Sequence, residues 1–167
     1  LNRGIESATG KYVARMNADD LSLPMRLECQ VKYMEAHPDC VALGVRVQFI
    51  DAEGSILKTY HVPCAHNEIF QELINGNGGC IIHHAAMFRT KALFDAGKYR
   101  EKYKYAEDYD LYLRLFNKGR MINLPDVLFL YRMTSKSINY TRGRIQYKLV
   151  KSLREQFCAD HNMAKPE

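Results

Sequence analysis

Residues 41–50 and 56–62 are both rich in β-branched side chains, and only Asp51-Ala52-Glu53-Gly54-Ser55 separates them. Two such runs across a polar turn predict a β-hairpin. Elsewhere short helical patterns alternate with strand-like ones, which by itself predicts parallel strands joined by helices. A hairpin set into that alternation restricts the fold to α/β, with a mixed sheet flanked by helices.

The remaining elements follow from periodicity and punctuation. Residues 1–8 read as a helix stopped by Gly10, and residues 11–16 as a short strand running into Asn17-Ala18-Asp19-Asp20. Ser22 reads as the N-cap of a helix with Pro24 just inside it. Leu27, Val31 and Met34 form that helix's apolar face, and it ends before Pro38. Further helices are predicted over 67–74, 90–96 and 107–117. The first is stopped by Asn75-Gly76-Asn77-Gly78-Gly79. The last turns Leu111, Tyr112 and Leu115 inward and is closed by Gly119. Residues 80–88 read as an apolar strand, residues 98–106 as a loop, and residues 121–132 as a strand broken at Pro125. A long basic helix is predicted over 137–162.

The chain has 167 residues, of which 47% are apolar and 26% charged, enough for one compact core. It divides into residues 1–136, the body, and residues 137–167, the basic helix and tail. No apolar run approaches the roughly 20 residues that span a bilayer. No signal segment opens the chain, which begins without Met and inside a helical pattern, so further residues are expected upstream. Five cysteines with irregular spacing predict free thiols in a reducing, cytoplasmic setting. The net charge of +5 favours anionic partners without choosing among them.

Several constellations can carry chemistry, and each also has a plain structural reading. Asp19 and Asp20 follow a strand, where ligands of open α/β sheets bind, and adjacent carboxylates suit a hard divalent cation. Equally, they can offset the dipole of the next helix. Glu107, Asp108 and Asp110 open a helix, where an acid serves either as general base or as a helix-start charge. His83 and His84 sit in an apolar run; adjacent strand residues face opposite ways, so the two are not expected on one ion. Arg132 and Lys136, in the polar stretch 131–137, suit phosphate oxygens or a solvated turn. Arg142, Arg144, Lys148, Lys151 and Arg154 suit an anionic membrane surface, a nucleic acid, or simply water.

The order of these features resembles the family 2 inverting glycosyltransferases. The resemblance is carried by residues 2–20, ending in Asn17-Ala18-Asp19-Asp20, and by Pro24-Met25-Arg26-Leu27-Glu28-Cys29-Gln30. It continues through residues 84–89, Ala106-Glu107-Asp108-Tyr109-Asp110-Leu111 and Tyr131-Arg132, and so covers nearly the whole chain to about residue 140. The resemblance implies a GT-A-like (Rossmann-like) sheet seen without the family's N-terminal nucleotide-binding strands. It implies that Asp19 and Asp20 bind Mn²⁺ or Mg²⁺ and that Asn17, Asp19, Asp20 and Arg132 face a nucleotide-sugar donor, UDP-linked. It also implies that Asp108 is the catalytic base, helped by Glu107, with His84 on the acceptor side. The acceptor is then a saccharide or a lipid-linked one, with peripheral contact to a membrane and no nucleic acid as partner. Asn17 replaces the first acid found in many members, and Thr134 replaces a frequent histidine of the closing loop. An inactive relative of the same fold and a basic nucleic-acid-binding domain are the rival readings.

Overall fold

The computed structural model of the chain describes residues 1–133 and 138–164. Thr134, Ser135, Lys136 and Ser137 lie outside the described residues, so the readings at Thr134 and Lys136 and the boundary at residue 137 fall there. Six strands form one sheet: β1 (Tyr12–Ala14), β2 (Leu21–Ser22), β3 (Cys40–Ile50), β4 (Ile56–Tyr60), β5 (Met87–Arg89) and β6 (Arg120–Arg132). The order is β1-β5-β3-β6-β2, with β4 beside the far end of β3. The helices are α1 (Asn2–Ser7), α2 (Arg26–Ala36), α3 (His66–Ile74), α4 (Thr90–Asp95), α5 (Glu107–Phe116) and α6 (Ile138–Asp160).

β3 is the sheet's centre. β6 lies parallel along one edge, and β5 and β4 lie antiparallel along the other. With neighbours on both edges and helices on its faces, β3 must be apolar almost throughout, and it is. The predicted hairpin is present. Asp51 Oδ1 accepts from Ser55 N at 2.7 Å, and Gly54 closes the turn at φ 95°. β1 pairs antiparallel with β5, which pairs antiparallel with β3. Therefore β1, β3 and β6 all point the same way, and their carboxyl ends share one edge of the sheet.

The structure corrects five local expectations. Residues 80–88 do not form one strand. Two 3₁₀ turns, Gly78–Cys80 and His83–Ala85, precede the short β5. Side chains meet the buried carbonyls that a strand partner would otherwise pair: Asn123 Nδ2 reaches Cys80 O at 2.7 Å and Gln30 Nε2 reaches Ala85 O at 3.0 Å. Ser22 is not an N-cap, because it belongs to β2 and pairs with Phe129 of β6. Helix α2 starts at Arg26 behind Met25, with no side-chain cap. Its inner face is Arg26, Gln30 and Met34, whereas Leu27 is 50% and Val31 38% exposed. Helix α1 ends at Ser7, short of Gly10. Pro125 does not break β6; the register jumps from Val45–Leu124 to Arg46–Val127, so Pro125 and Asp126 bulge out of the ladder.

The main core lies between the sheet and α3, α4, α5 and α6; Leu153, Phe157 and Cys158 of α6 join it. No helix among the described residues is long and apolar enough to cross a membrane. One acid of α5 is fully structural: Asp110 is buried and accepts from Arg114 Nη2 at 2.7 Å and from Arg100 Nε at 3.1 Å. Gly119, in the turn after α5, is required by close approach; a Cβ there would lie 2.5 Å from Asp39 O and 2.6 Å from Val41 Cγ1.

Gly119→Ala is therefore expected to cost about 1–3 kcal/mol in chemical denaturation. Gly4→Ala, where a Cβ meets nothing within 4 Å, should be neutral or mildly stabilising. Asp110→Asn leaves two arginines facing a neutral group and should cost about 3 kcal/mol or more. Equal midpoints for Gly119→Ala, Gly4→Ala and the parent would contradict the close packing described.

Candidate active site

The shared carboxyl edge of β1, β3 and β6 is where the acidic stretch emerges. β1 leads into Arg15–Asp20, and β2 then pairs with the end of β6 through Leu21–Leu130. That pairing sets Asp20 beside Arg132: Asp20 Oδ1 accepts from Arg132 N at 2.9 Å. Asp20 Oδ2 faces His84 Nδ1 at 3.1 Å. With both oxygens engaged, Asp20 is only 3% exposed, whereas Asp19 is open to solvent at the cleft.

Arg132 fastens the same corner. Its Nε donates to Asp19 O at 2.9 Å, and its Nη1 donates to Asp51 O and Ala52 O, both at 2.7 Å. One guanidinium thus joins the end of β6 to the acidic stretch and to the turn after β3. Asn17 is equally constrained. Its Oδ1 accepts from Arg15 Nη1 at 2.8 Å, which turns Nδ2 toward the His84 ring nitrogens at 2.9 and 3.1 Å. An amide NH₂ only donates and a carboxylate only accepts. A His84 ring with its proton on Nδ1 and its lone pair on Nε2 satisfies both neighbours. Tyr131 stacks on that ring, with centroids 5.0 Å apart and 8° between planes.

The two histidines part company, as expected, although in a 3₁₀ turn rather than a strand. His83 points inward, with Nε2 2.7 Å from Tyr99 Oη, and burial drives its pKa well below the usual range. The ring centroids lie 6.3 Å apart, and His84 alone faces the acidic stretch.

The start of α5 supplies the opposite side. Glu107 Oε2 accepts from Tyr105 N at 2.7 Å, and Tyr105 sits at φ 81°, a left-handed conformation that side chains rarely adopt. The strain is held at the cleft rim by this hydrogen bond and by the buried Ala106 behind it. Asp108 Oδ1 accepts from Tyr109 N at 2.8 Å. Burial raises the Asp108 carboxyl to about 6, and the charge of Glu107 adds to the rise; the Tyr109 N–H bond opposes it.

These residues line one cleft of about 1030 Å³. It brings together Asn17, Asp19, Asp20, His84, Glu107, Asp108 and Arg132 from segments up to 115 positions apart. Among the described residues no three His, Cys, Asp or Glu side chains cluster as a ready metal site. The cleft also holds residues for which the sequence offers no chemical role: Arg15, Tyr60, Gly76–Gly79, Gln146 and Tyr147. The glycine density at 76–79 was a usable signal, since such runs also mark places where backbone forms a wall; nothing in the local pattern singled out Tyr60 or Gln146.

The model of the family described as "Glycosyl transferase family 2" matches residues 1–95. The amylovoran biosynthesis glycosyltransferase AmsE of Erwinia amylovora is 39% identical over 86% of this chain and 53% of its own length. The O-antigen biosynthesis glycosyltransferase WbnJ of Escherichia coli is 34% identical over 82% and 53%. The chain thus spans about half the length of the curated relatives it matches. Two solved structures share the fold. TarS (1–349) of S. aureus has a TM-score of 0.63 at 16% identity, covering 99% of this chain and 45% of that one. The mannosyltransferase PcManGT of Pyrobaculum calidifontis, in complex with GDP-Man and Mn²⁺, has a TM-score of 0.58 at 19% identity, covering 99% and 44%. The architecture is accordingly the GT-A-like mixed sheet, and the chain belongs to glycosyl transferase family 2.

Proposed function

We propose that the chain carries the metal-site and acceptor-side portion of an enzyme that transfers a sugar from a nucleotide-sugar donor, UDP-linked, to an acceptor hydroxyl with inversion. The observation that carries this reading is the shared cleft: the acidic stretch after β1 and the acids opening α5 face one cavity. One of those acids, Asp108, has the raised carboxyl suited to proton abstraction near neutral pH. Relatives that act in amylovoran and O-antigen biosynthesis support a polysaccharide setting.

In this mechanism Asp108 takes the proton of the acceptor hydroxyl. The freed oxygen attacks the anomeric carbon from the face opposite the diphosphate, and the nucleoside diphosphate leaves with the bonding pair. A single in-line displacement inverts the centre. Glu107, one oxygen on Tyr105 N, positions the acceptor or the sugar, and His84 borders the acceptor from the other side. Asn17 and Arg132 border the donor, and the Arg132 charge favours its diphosphate.

The donor set fits a hard cation such as Mn²⁺ or Mg²⁺. Asp19 offers a carboxylate open to the cleft. Asp20 would offer Oδ2 in exchange for its contact with His84 Nδ1, and its Oδ1 is already taken by Arg132 N. Diphosphate oxygens and water would complete the coordination. When bound, the cation would offset the charge growing on the leaving diphosphate. The basic outer face of α6, with Arg144, Lys148 and Lys151 exposed, is suited to an anionic membrane surface that carries lipid-linked acceptors. A reducing, cytoplasmic location fits five cysteines with no disulfide.

The test is a pH profile. Asp108 must be ionised to act as base, so transfer should fall as pH drops below about 6. Asp108→Asn should abolish that limb and lower kcat by about 10²–10⁴-fold. Stability separates chemistry from folding. A carboxyl raised in the fold holds its proton more tightly there than in the unfolded chain, so ionised Asp108 lowers stability as pH rises through about 6. Asp108→Asn should therefore match or exceed the parent in thermal midpoint at pH 7.5. Retained turnover in a folded Asp108→Asn protein would sink the assignment.

A further inference from the structure

The cleft has a second wall that the proton-transfer and diphosphate chemistry does not use. Gly76-Asn77-Gly78-Gly79 runs along it as nearly bare backbone, closed in by three elements. Behind Gly76, at φ 87°, a Cβ would touch Val150 and Arg154 of α6. At Gly78 it would lie 3.4 Å from the Tyr109 ring, and at Gly79 3.1 Å from Tyr60 Oη. Asn77 stiffens the run: its Oδ1 accepts from Gly79 N at 2.9 Å and its Nδ2 donates to Glu72 at 2.6 Å. The loop is therefore a rigid strip of peptide groups, with Tyr60 at one end.

Above it, α6 brings Gln146 and Tyr147 to the same cavity. Tyr147 is 69% exposed, so most of its ring is accessible from solvent and rim. An aromatic face, a carboxamide and a strip of bare glycine backbone, lining the same cleft as Asp108, have the complementarity of a pyranose ring. Such a ring offers a C–H face to stack and hydroxyls to bond. A lipid chain would instead need a continuous apolar groove, and here the apolar side chains are interrupted by glycine backbone, Gln146 and Tyr hydroxyls.

We infer that the wall formed by Gly76–Gly79, Tyr60, Gln146 and Tyr147 is the subsite for the sugar ring that bears the accepting hydroxyl. This rests on the glycosyltransferase reading, since it needs Asp108 across the cleft as base. Tyr147 is a specificity-determining contact that stacks on the ring, and the glycine strip keeps the subsite wide enough to admit it. A Cβ at position 79 would press on Tyr60 Oη and Asn77 Oδ1 and displace that part of the wall.

Saturation-transfer NMR on the protein with UDP and Mn²⁺ present, against a panel of methyl glycopyranosides (gluco, galacto, manno and N-acetylgluco), tests the inference without requiring turnover. At least one glycoside should bind. Tyr147→Ala, at an exposed position that leaves folding intact, should weaken it about tenfold, Tyr147→Trp should retain it, and UDP affinity should stay within about twofold in both. Gly79→Ala should also weaken glycoside binding. An unchanged glycoside affinity in Tyr147→Ala, or no binding by any member of the panel, would overturn the inference. So would a Tyr147→Ala loss confined to vesicles of phosphatidylglycerol and phosphatidylcholine, which would make this ring a membrane contact. Loss of transfer in Asp108→Asn with glycoside binding intact keeps the two readings separate: failure of the subsite would leave the assignment of Asp108 standing.

Discussion

Arg26 carries a charge into the protein where the site-bearing segments meet. Its Nη2 donates to Arg15 O at 2.8 Å, and its Nε to Gln30 Oε1 at 3.1 Å. Gln30, one turn on, donates to Leu43 O and Ala85 O. Helix α2 thus holds the carboxyl end of β1, the centre of β3 and the His83–Ala85 turn through backbone carbonyls. Burial lowers the Arg26 pKa to about 10 and the nearby Asp20 opposes the fall, so the group stays charged. The Phe129 ring lies 4.8 Å from its centre. That tie adds to the contacts of Asp20 with Arg132 and His84 and of Asn17 with His84, which hold the acidic stretch against His84 and the end of β6.

Arg26 and Gln30 are therefore inward residues of the helix that follows the acidic stretch, while Leu27 and Glu28 face outward. Apolar spacing marked Leu27, Val31 and Met34 as the inward set. The backbone carbonyls of Arg15, Leu43 and Ala85 accept from Arg26 and Gln30, and these bonds outweigh that spacing and turn the two polar side chains inward. The same physics hid the break at residues 80–88, where an apolar run resembles a strand until Asn123 and Gln30 are seen to satisfy its carbonyls from a distance. Patterns with local causes were legible: the hairpin with Gly54, the amphipathic α5, and the mixed sheet. The acids themselves were legible as candidates, but their division of labour was not. Asp20 and Asp110 are committed to partners distant in sequence or a turn away, Asp19 is exposed, and Asp108 is raised by surroundings that no local window contains.

The cleft therefore combines a rigid corner and a tuned group. Arg132, the last residue of β6, pins the acidic stretch and the turn after β3 through three carbonyls; Arg15, Asn17, His84 and Asp20 form a hydrogen-bonded chain with one consistent donor order. That order gives a physical role to Asn17: an aspartate there could accept from Arg15 but could not donate to His84. Against this fixed corner, the strained Tyr105 and the hydrogen bond to Glu107 set the angle at which α5 presents Asp108. Sequence order alone brought these segments into relation; the carboxyl edge of β1, β3 and β6 gives the reason they meet.

The most direct measurement is anomalous diffraction from crystals of the protein soaked with UDP and Mn²⁺. The expected result is a manganese peak against the Asp19 carboxylate, within the cleft that Asp108 lines, with the diphosphate beside it. A manganese peak away from both Asp19 and Asp20 would contradict the assignment of this edge as the donor's metal site.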